Sequence, residues 1–253
     1  MPLSCPWRER NDKGDVMRLW LSGVVLAAGL MAASTAFAAD EIVIGFATAE
    51  SGSVSPYDTD GLRMAKLWID EMNAKGGILG RKLRSVQADS KSDRTESAKA
   101  GQAVLRDGAT LVVVTCDYDY GAPAALQAQR AGVIAVSICA GDPKFGVLGV
   151  GPLAFTASNA AQAEGAAIAQ FSADTKKFTN GYVLLDDSIE YDKSLCAGYE
   201  WYFPQKGGKI VGKDTFKNAD PSIASQITRL ANLMKTEKVD EIMFCSYSPG
   251  GPS

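Results

Sequence analysis

The chain has 253 residues, of which 46% are hydrophobic and 22% are charged, ordinary values for a globular protein with a sizeable core. Its 26 basic and 29 acidic residues give a net charge of −3, without the basic stripe that nucleic-acid binding requires. The sequence contains no histidine, which excludes Ser–His and Cys–His nucleophile pairs and zinc sites with histidine ligands.

The first 38 residues have the pattern of an export signal. Arg18 supplies a positive charge, an apolar run follows it, and residues 36–38 (Ala-Phe-Ala) form a small-x-small cleavage site. We therefore expect a signal peptide over 1–38, cleavage after Ala38, and a periplasmic mature protein. The polar residues before Met17 are interpreted as a long first region of the signal or as a mis-assigned start, and the second interpretation is favoured.

From residue 40 the chain alternates short apolar strands with amphipathic helices, the pattern of a parallel sheet covered on both faces. Strands are predicted at 42–47, 83–88, 111–114 and 133–138, and helices at 62–72, about 95–106 and 122–131. Together these elements complete one doubly wound unit over about 40–150.

A short extended segment at 153–158 separates this unit from a second alternating stretch. Strands are predicted there at 181–185, 209–216 and 241–245, and helices at 160–171, about 192–202 and from Pro221 onward. Asp220 is expected to cap the last helix, with Pro221 at its first position. Since sheets usually have four to six strands, the second unit is expected to be incomplete.

These patterns predict an α/β protein with two doubly wound, Rossmann-like parallel-sheet lobes. The expected organisation is an N-terminal lobe at 39–154, a hinge at 155–158 and a partial C-terminal lobe at 159–253. Ligands of open parallel sheets bind beyond the carboxyl ends of the strands.

The loops that follow the predicted strands are rich in tyrosines, hydroxyls and carboxylates. They indicate a site for a small polar solute held by hydrogen bonds and aromatic walls. The alternative is that these residues are simply common in loops. The run 116–121 contains two aspartates and two tyrosines, which is more than a turn needs. The pair at 186–187 is interpreted as a strand-end turn rather than a metal site.

The run 69–80 (IDEMNAKGGILG) and Ser51-Gly52 after the first strand resemble the opening of leucine/isoleucine/valine-type periplasmic binding proteins. The similarity continues to Tyr247, and the chain ends before the family's length is complete. The resemblance implies a type I periplasmic binding fold, truncated at its C-terminus. It also implies a monomer without cofactors that binds a small solute and docks on the membrane permease of an ABC importer.

In that family the loops after the third and fourth strands hold the charged ends of the ligand, and aromatic residues close over it. The resemblance assigns ligand contacts to Ser51, Tyr57, Asp117, Tyr118, Cys139, Ala140, Gly141, Tyr191 and Tyr247.

Asp117 departs from the family pattern, because amino-acid binders usually have a serine at this position. An aspartate would repel a ligand carboxylate by roughly one to several kcal/mol at short range. Asp117 therefore favours a cationic or N–H-rich solute such as an amine, amide or amidine. The alternative is that it turns away and caps a helix starting near Ala122.

The four cysteines of the mature chain fit an exported protein. Cys116 and Cys139 end neighbouring strands and could form a disulfide, as could Cys196 and Cys245. The alternative is four buried thiols that pack as small hydrophobic side chains.

The sequence thus favours a non-catalytic solute-binding component of an ABC importer, whose lobes close on the solute by population shift. One alternative is a periplasmic ligand sensor with the same fold. A remote alternative is an α/β enzyme with Cys116 or Cys139 as nucleophile, disfavoured because the chain has neither a histidine base nor a nucleophile elbow.

Overall fold

The first parallel sheet has five strands in the order β2-β1-β3-β4-β5. The computed structural model describes residues 41–247, so the predicted signal peptide, its cleavage site and the alternative start lie outside the described residues. The strands are β1 (Ile42–Thr48), β2 (Leu83–Asp89), β3 (Leu111–Val114), β4 (Ile134–Ser137) and β5 (Ala154–Thr156). The helices between them are α1 (Ser55–Ala74), α2 (Arg94–Arg106) and α3 (Tyr118–Arg130).

The two faces of this sheet have separate apolar cores. Val112 and Val114 of β3 point toward α2 and α3, in a cluster that includes the fully buried Val104. Val113 points the other way, toward α1, which packs Leu62 and Ile69 against β1 and β2. This alternation follows from the two-residue repeat of a strand and accounts for the continuous apolar sequence of β3.

The face covered by α1 is open over β4 and β5. Ile134, Ile138 and Phe155 on that face are 42%, 44% and 52% exposed. Parallel sheets normally have both faces covered, so this strip is an apolar surface that the elements of 41–247 leave in contact with solvent.

The second parallel sheet has three strands in the order β7-β6-β8. Its strands are β6 (Asn180–Asp186), β7 (Lys209–Phe216) and β8 (Glu241–Cys245), and its helices are α4 (Ala161–Asp174), α5 (Glu190–Tyr202) and α6 (Ala224–Leu233). Helix α5 buries Leu195 and Tyr199 against Val183 of β6, and α4 packs on α5. Helix α6 covers the opposite face through Leu230, which lies against Leu184.

Two helix starts differ from the sequence prediction. Asp220 does not cap α6, because its carboxylate accepts a hydrogen bond from the Lys217 N–H at 2.8 Å and closes a turn instead. The helix therefore starts at Ala224, and Pro221 precedes it. Helix α3 starts at Tyr118, four residues earlier than predicted, because Asp117 is its N-cap.

The segment predicted at 153–158 contains β5, which pairs in parallel with β4 as the last strand of the first sheet. Residues 157–160 then lead into α4. Within 41–247, no helix combines the length and the apolar character needed to cross a membrane.

Candidate functional site

A cleft of about 330 Å³ lies where loops at the carboxyl ends of both sheets meet. Its size is at the lower end of the range for small-molecule sites. It is lined by Val54, Tyr57, Cys116, Asp117, Cys139, Ser158, Glu164, Ile189, Tyr191, Ser246 and Tyr247. Both halves of the chain therefore contribute side chains to the same space.

Five of the predicted site residues line this cleft, namely Tyr57, Asp117, Cys139, Tyr191 and Tyr247. The other four are not among its lining residues. They are Ser51, whose hydroxyl donates to Asp89; Tyr118, which packs on the first core; Ala140, which is fully buried; and Gly141, whose carbonyl accepts from the Ala161 N–H at 2.8 Å.

Asp58 connects two loops near the cleft, although sequence reasoning did not single it out. Its buried carboxylate accepts hydrogen bonds from the N–H groups of Ala49 at 2.7 Å and Cys116 at 2.8 Å. One side chain thus joins the loop after β1 to the loop after β3. Burial raises the pKa of Asp58 to about 6, although these hydrogen bonds act in the opposite direction.

The loop after β1 is held in place by a second carboxylate, that of Asp89 at the end of β2. Asp89 accepts from the Ser51 hydroxyl at 2.6 Å and from the Glu50 N–H at 2.9 Å. Burial acts to raise the pKa of Asp89, but these donors and the Lys91 N–H outweigh it and lower the pKa. Ser51 therefore helps to fix the loop that carries Val54 and leads into the first turn of α1, where Tyr57 lies.

The position of Asp117 fits both of the roles that the sequence left as alternatives. Its carboxylate accepts from the Tyr120 N–H at 3.1 Å and caps α3, and the same buried side chain lines the cleft. Burial and the nearby charge of Asp119 raise the pKa of Asp117 to about 7. The ionised form of this carboxyl accepts a charge-assisted hydrogen bond from a cationic or N–H-rich partner.

The cleft has an acidic and phenolic lining. Among the described residues, its ionisable side chains are the carboxyl groups of Asp117 and Glu164 and the phenols of three tyrosines, and none of these lining residues is a lysine or an arginine. The Tyr191 hydroxyl donates to Glu164 at 2.8 Å, and burial together with this carboxylate raises the pKa of Tyr191. Nothing in this lining pairs with a ligand carboxylate by opposite charge.

Polar contacts join the two halves around the cleft. Asp119 of α3 accepts from the Glu190 N–H at 2.8 Å, at the start of α5. The Ser194 hydroxyl donates to Asp142 at 2.5 Å, and Lys144 forms an ion pair with Glu190. These contacts hold the first turn of α5 against the loops that follow β3 and β4.

A family model described as periplasmic binding protein matches residues 41–252. The chain belongs to the periplasmic binding protein family. Among its relatives, the Leu/Ile/Val-binding protein BraC3 of Rhizobium johnstonii is 29% identical over 226 residues, which cover 87% of this chain and 59% of that protein. The Leu/Ile/Val/Thr-binding protein of Salmonella typhimurium is 24% identical over 231 residues, covering 90% and 62%.

Solved structures of this family have the same fold. The substrate-binding protein LivJ from Streptococcus pneumoniae, in complex with isoleucine, gives a TM-score of 0.71 at 27% identity over 81% of this chain and 56% of that one. A solute-binding protein from Rhodopseudomonas palustris, in complex with 3,4-dihydroxy benzoic acid, gives 0.67 at 17% identity over 81% and 54%. The predicted family and α/β fold are confirmed, and the chain spans about 60% of the length of the curated relatives it matches.

Both cysteine pairs of this family member form disulfides. Cys116 and Cys139 join the ends of β3 and β4, with Cα atoms 4.8 Å apart, and both line the cleft. Cys196 and Cys245 join α5 to the end of β8, with Cα atoms 5.9 Å apart, and both are fully buried. The first disulfide therefore fixes two of the loops that carry the cleft.

Six lining residues were not assigned to ligand contact from the sequence: Val54, Cys116, Ser158, Glu164, Ile189 and Ser246. Ser246 directly follows β8 and Cys116 is the second residue after β3, so the strand-end rule could have found them. Ser158 and Glu164 lie in the crossover and the first turn of α4, and only the folding of one half over the other brings them to the cleft. Among residues 41–247, no cluster of three or more acidic or cysteine residues is arranged to hold a metal ion.

Proposed function

We propose that this protein is the solute-binding component of an ABC importer, which captures a small polar solute in the cleft and delivers it to a membrane permease. The supporting observation is that one cleft is lined from both halves of the chain, by Asp117 and Cys139 from one side and Tyr191 and Tyr247 from the other. A solute that contacts both sides favours the closed state, which is the state a permease can recognise.

The chemistry of the lining favours a cationic or N–H-rich solute such as an amine, amide or amidine. Asp117 and Glu164 are the charged groups of the lining, and a ligand carboxylate beside Asp117 would be repelled. The relatives are named for leucine, isoleucine and valine. The proposed solute differs from these amino acids in presenting a cationic or N–H-rich group to Asp117.

In this proposal the protein acts as a monomer, has no catalytic activity and uses neither a cofactor nor a nucleic-acid partner. Its relatives are named as binding proteins. Cys116 and Cys139 are joined in a disulfide, which removes the free thiolate that the remote enzymatic alternative would need.

We place the protein in the periplasm, with the signal peptide 1–38 removed after Ala38, and its lobes at 39–154 and 159–253 meet at a hinge at 155–158. Disulfides persist in such an oxidising compartment. The mass of the exported protein gives the mature N-terminus directly.

The solute class is tested by replacing Asp117 with serine in the mature chain. Serine keeps the cap of α3, so binding is expected to change through the lost carboxylate. Isothermal titration with acetamidinium is expected to show binding more than tenfold weaker than in the wild type, with leucine binding gained or unchanged.

Asp93→Ser is the matched control. Asp93 caps α2 through the N–H groups of Thr95 and Glu96, both at 2.8 Å, and it does not line the cleft. This variant is expected to bind acetamidinium like the wild type. If Asp117 acts as a cap alone, its serine variant loses about 0.5 kcal/mol of stability or less and keeps the affinity. Tight leucine binding without acetamidinium binding by the wild type would contradict the solute class.

A further inference from the structure

Asp192 in the first turn of α5 is a buried carboxyl group without a hydrogen-bond partner. Its side chain is fully buried, and neither of its oxygens accepts a hydrogen bond from any residue within 41–247. Buried polar groups almost always have a partner, so an exception of this kind calls for an explanation.

The groups that face Asp192 add negative charge. They are Asp186 at the end of β6 and Asp117 and Asp119 at the start of α3. Asp119 is neutralised by Arg94 at 2.5 Å, and Asp186 accepts from the Ser246 hydroxyl at 3.0 Å. Asp117 has neither a cation nor a hydroxyl of this kind among the hydrogen bonds and ion pairs of the described residues.

Other elements packed against α5 supply no free cation to Asp192 within the described residues. Glu164 of α4 accepts from the Tyr191 hydroxyl, and Glu241 of β8 accepts from the Tyr199 hydroxyl at 2.6 Å. Lys193, its neighbour in sequence, and Lys144, from the other half, are both paired with Glu190.

The start of α5 lies against the start of α3, where Asp119 accepts from the Glu190 N–H at 2.8 Å, so Asp117 and Asp192 lie in one region, and neither has a cationic partner within 41–247. Asp117 lines the cleft, and Asp192 is buried and is not part of the lining. Burial, and then the charges of Asp186, Asp117 and Asp119, raise the pKa of Asp192 to about 8, as burial raises that of Asp117 to about 7. When both carboxyls are enclosed at neutral pH, a proton or a cation must reside with them.

We propose that Asp192 is a specificity-determining positioning residue that acts through Asp117, so that the enclosed pair of carboxyls takes either a proton or the positive charge of the solute. The proposal rests on the proposed function and deepens it. A neutral solute binds together with the proton, whereas a cationic solute binds in its place. The preference for a cation over a neutral solute of the same shape must therefore increase with pH.

Acetamidinium and acetamide are suitable probes, because they have nearly the same shape and differ in charge. The ratio of their affinities, measured by isothermal titration, is expected to rise by up to tenfold per pH unit below pH 8, the range in which Asp117 and Asp192 titrate. In Asp192→Asn, where Asp117 titrates without Asp192, the rise is expected to end about one pH unit lower, near pH 7. Asp70→Asn, which alters an exposed carboxylate of α1, should keep the wild-type slope.

A second measurement requires no ligand. The raised pKa of Asp192 means that its contribution to stability is present at low pH and is lost as the pH rises through about 8. The melting temperature of Asp192→Asn should therefore rise relative to that of the wild type between pH 6 and about pH 9. The corresponding relative rise for Asp117→Asn should be smaller.

The two measurements separate the two claims. Failure of both probes to bind would contradict the proposed solute class, whereas a pH-dependent gap in melting temperature would still support the titration of Asp192 as a buried carboxyl group. A wild-type affinity ratio that does not change with pH overturns the inference, and so does a melting-temperature gap between Asp192→Asn and the wild type that stays constant with pH.

Discussion

Replacing Asp58 with alanine is expected to lower the free energy of unfolding by about 2–5 kcal/mol. The change leaves the N–H groups of Ala49 and Cys116 without the acceptors that they have in the wild type. It also frees the loops after β1 and β3, so solute affinity should fall together with stability. Urea denaturation, followed by titration with acetamidinium, measures both effects.

Asp60→Ala on the same helix is the matched control. Asp60 forms an exposed ion pair with Arg63 at 3.0 Å, with both side chains more than 70% accessible. Such pairs contribute about 0–1 kcal/mol, so this variant should be close to the wild type in stability and binding. A loss for Asp58→Ala as small as that for Asp60→Ala would contradict the assigned role of Asp58.

The pH dependence gives a further check on Asp58. Burial raises its pKa to about 6 in the folded protein, above its value in the unfolded chain. The stability that depends on this carboxyl is therefore present in full at low pH and declines as the pH rises through about 6. In Asp58→Asn, the free energy of unfolding measured in urea should not show the part of this decline that comes from Asp58.

The alternation of strands and helices could be predicted because each element carries its own local signal. The strand Leu111–Val114 is an uninterrupted apolar run, as a strand covered on both faces must be. Helix starts were less accurate, since capping depends on which backbone N–H group a side chain meets. Asp117 and Asp220 are both aspartates before a helix, but only Asp117 caps one.

The site could be predicted in part, because the carboxyl ends of parallel strands converge on one edge. Asp117 and Cys139 lie within three residues of the ends of β3 and β4, and both line the cleft. Glu164 lies on a helix and has no such signal, and it reaches the cleft through the packing of α4 on α5. Asp58 resembles an ordinary acidic residue in the first turn of a helix, and its role depends on two distant N–H groups.

The packing of α4 on α5 positions one wall of the cleft and depends on two glycines. A Cβ atom on Gly165 would lie 1.9 Å from the Leu195 carbonyl oxygen, and one on Gly198 would lie 2.0 Å from the Gln162 carbonyl oxygen. Because both obstacles are backbone atoms, no side-chain rotation can relieve the overlap. The helices can accommodate a methyl group here only by moving apart.

We expect Gly165→Ala to lower the free energy of unfolding by about 3 kcal/mol, the upper end of the range for overpacked sites. Alanine has a higher helix propensity than glycine by roughly 1 kcal/mol, but the steric overlap outweighs this gain. Glu164 precedes this glycine and accepts the Tyr191 hydroxyl at 2.8 Å, so separation of the helices also disturbs the cleft. The affinity for acetamidinium should fall in the fraction of protein that stays folded. Gly61→Ala in α1 is the control, because its Cβ would meet only the end of the Ile138 side chain, at 3.1 Å. Equal stability of the two variants in urea would show that α4 and α5 do not depend on this close approach.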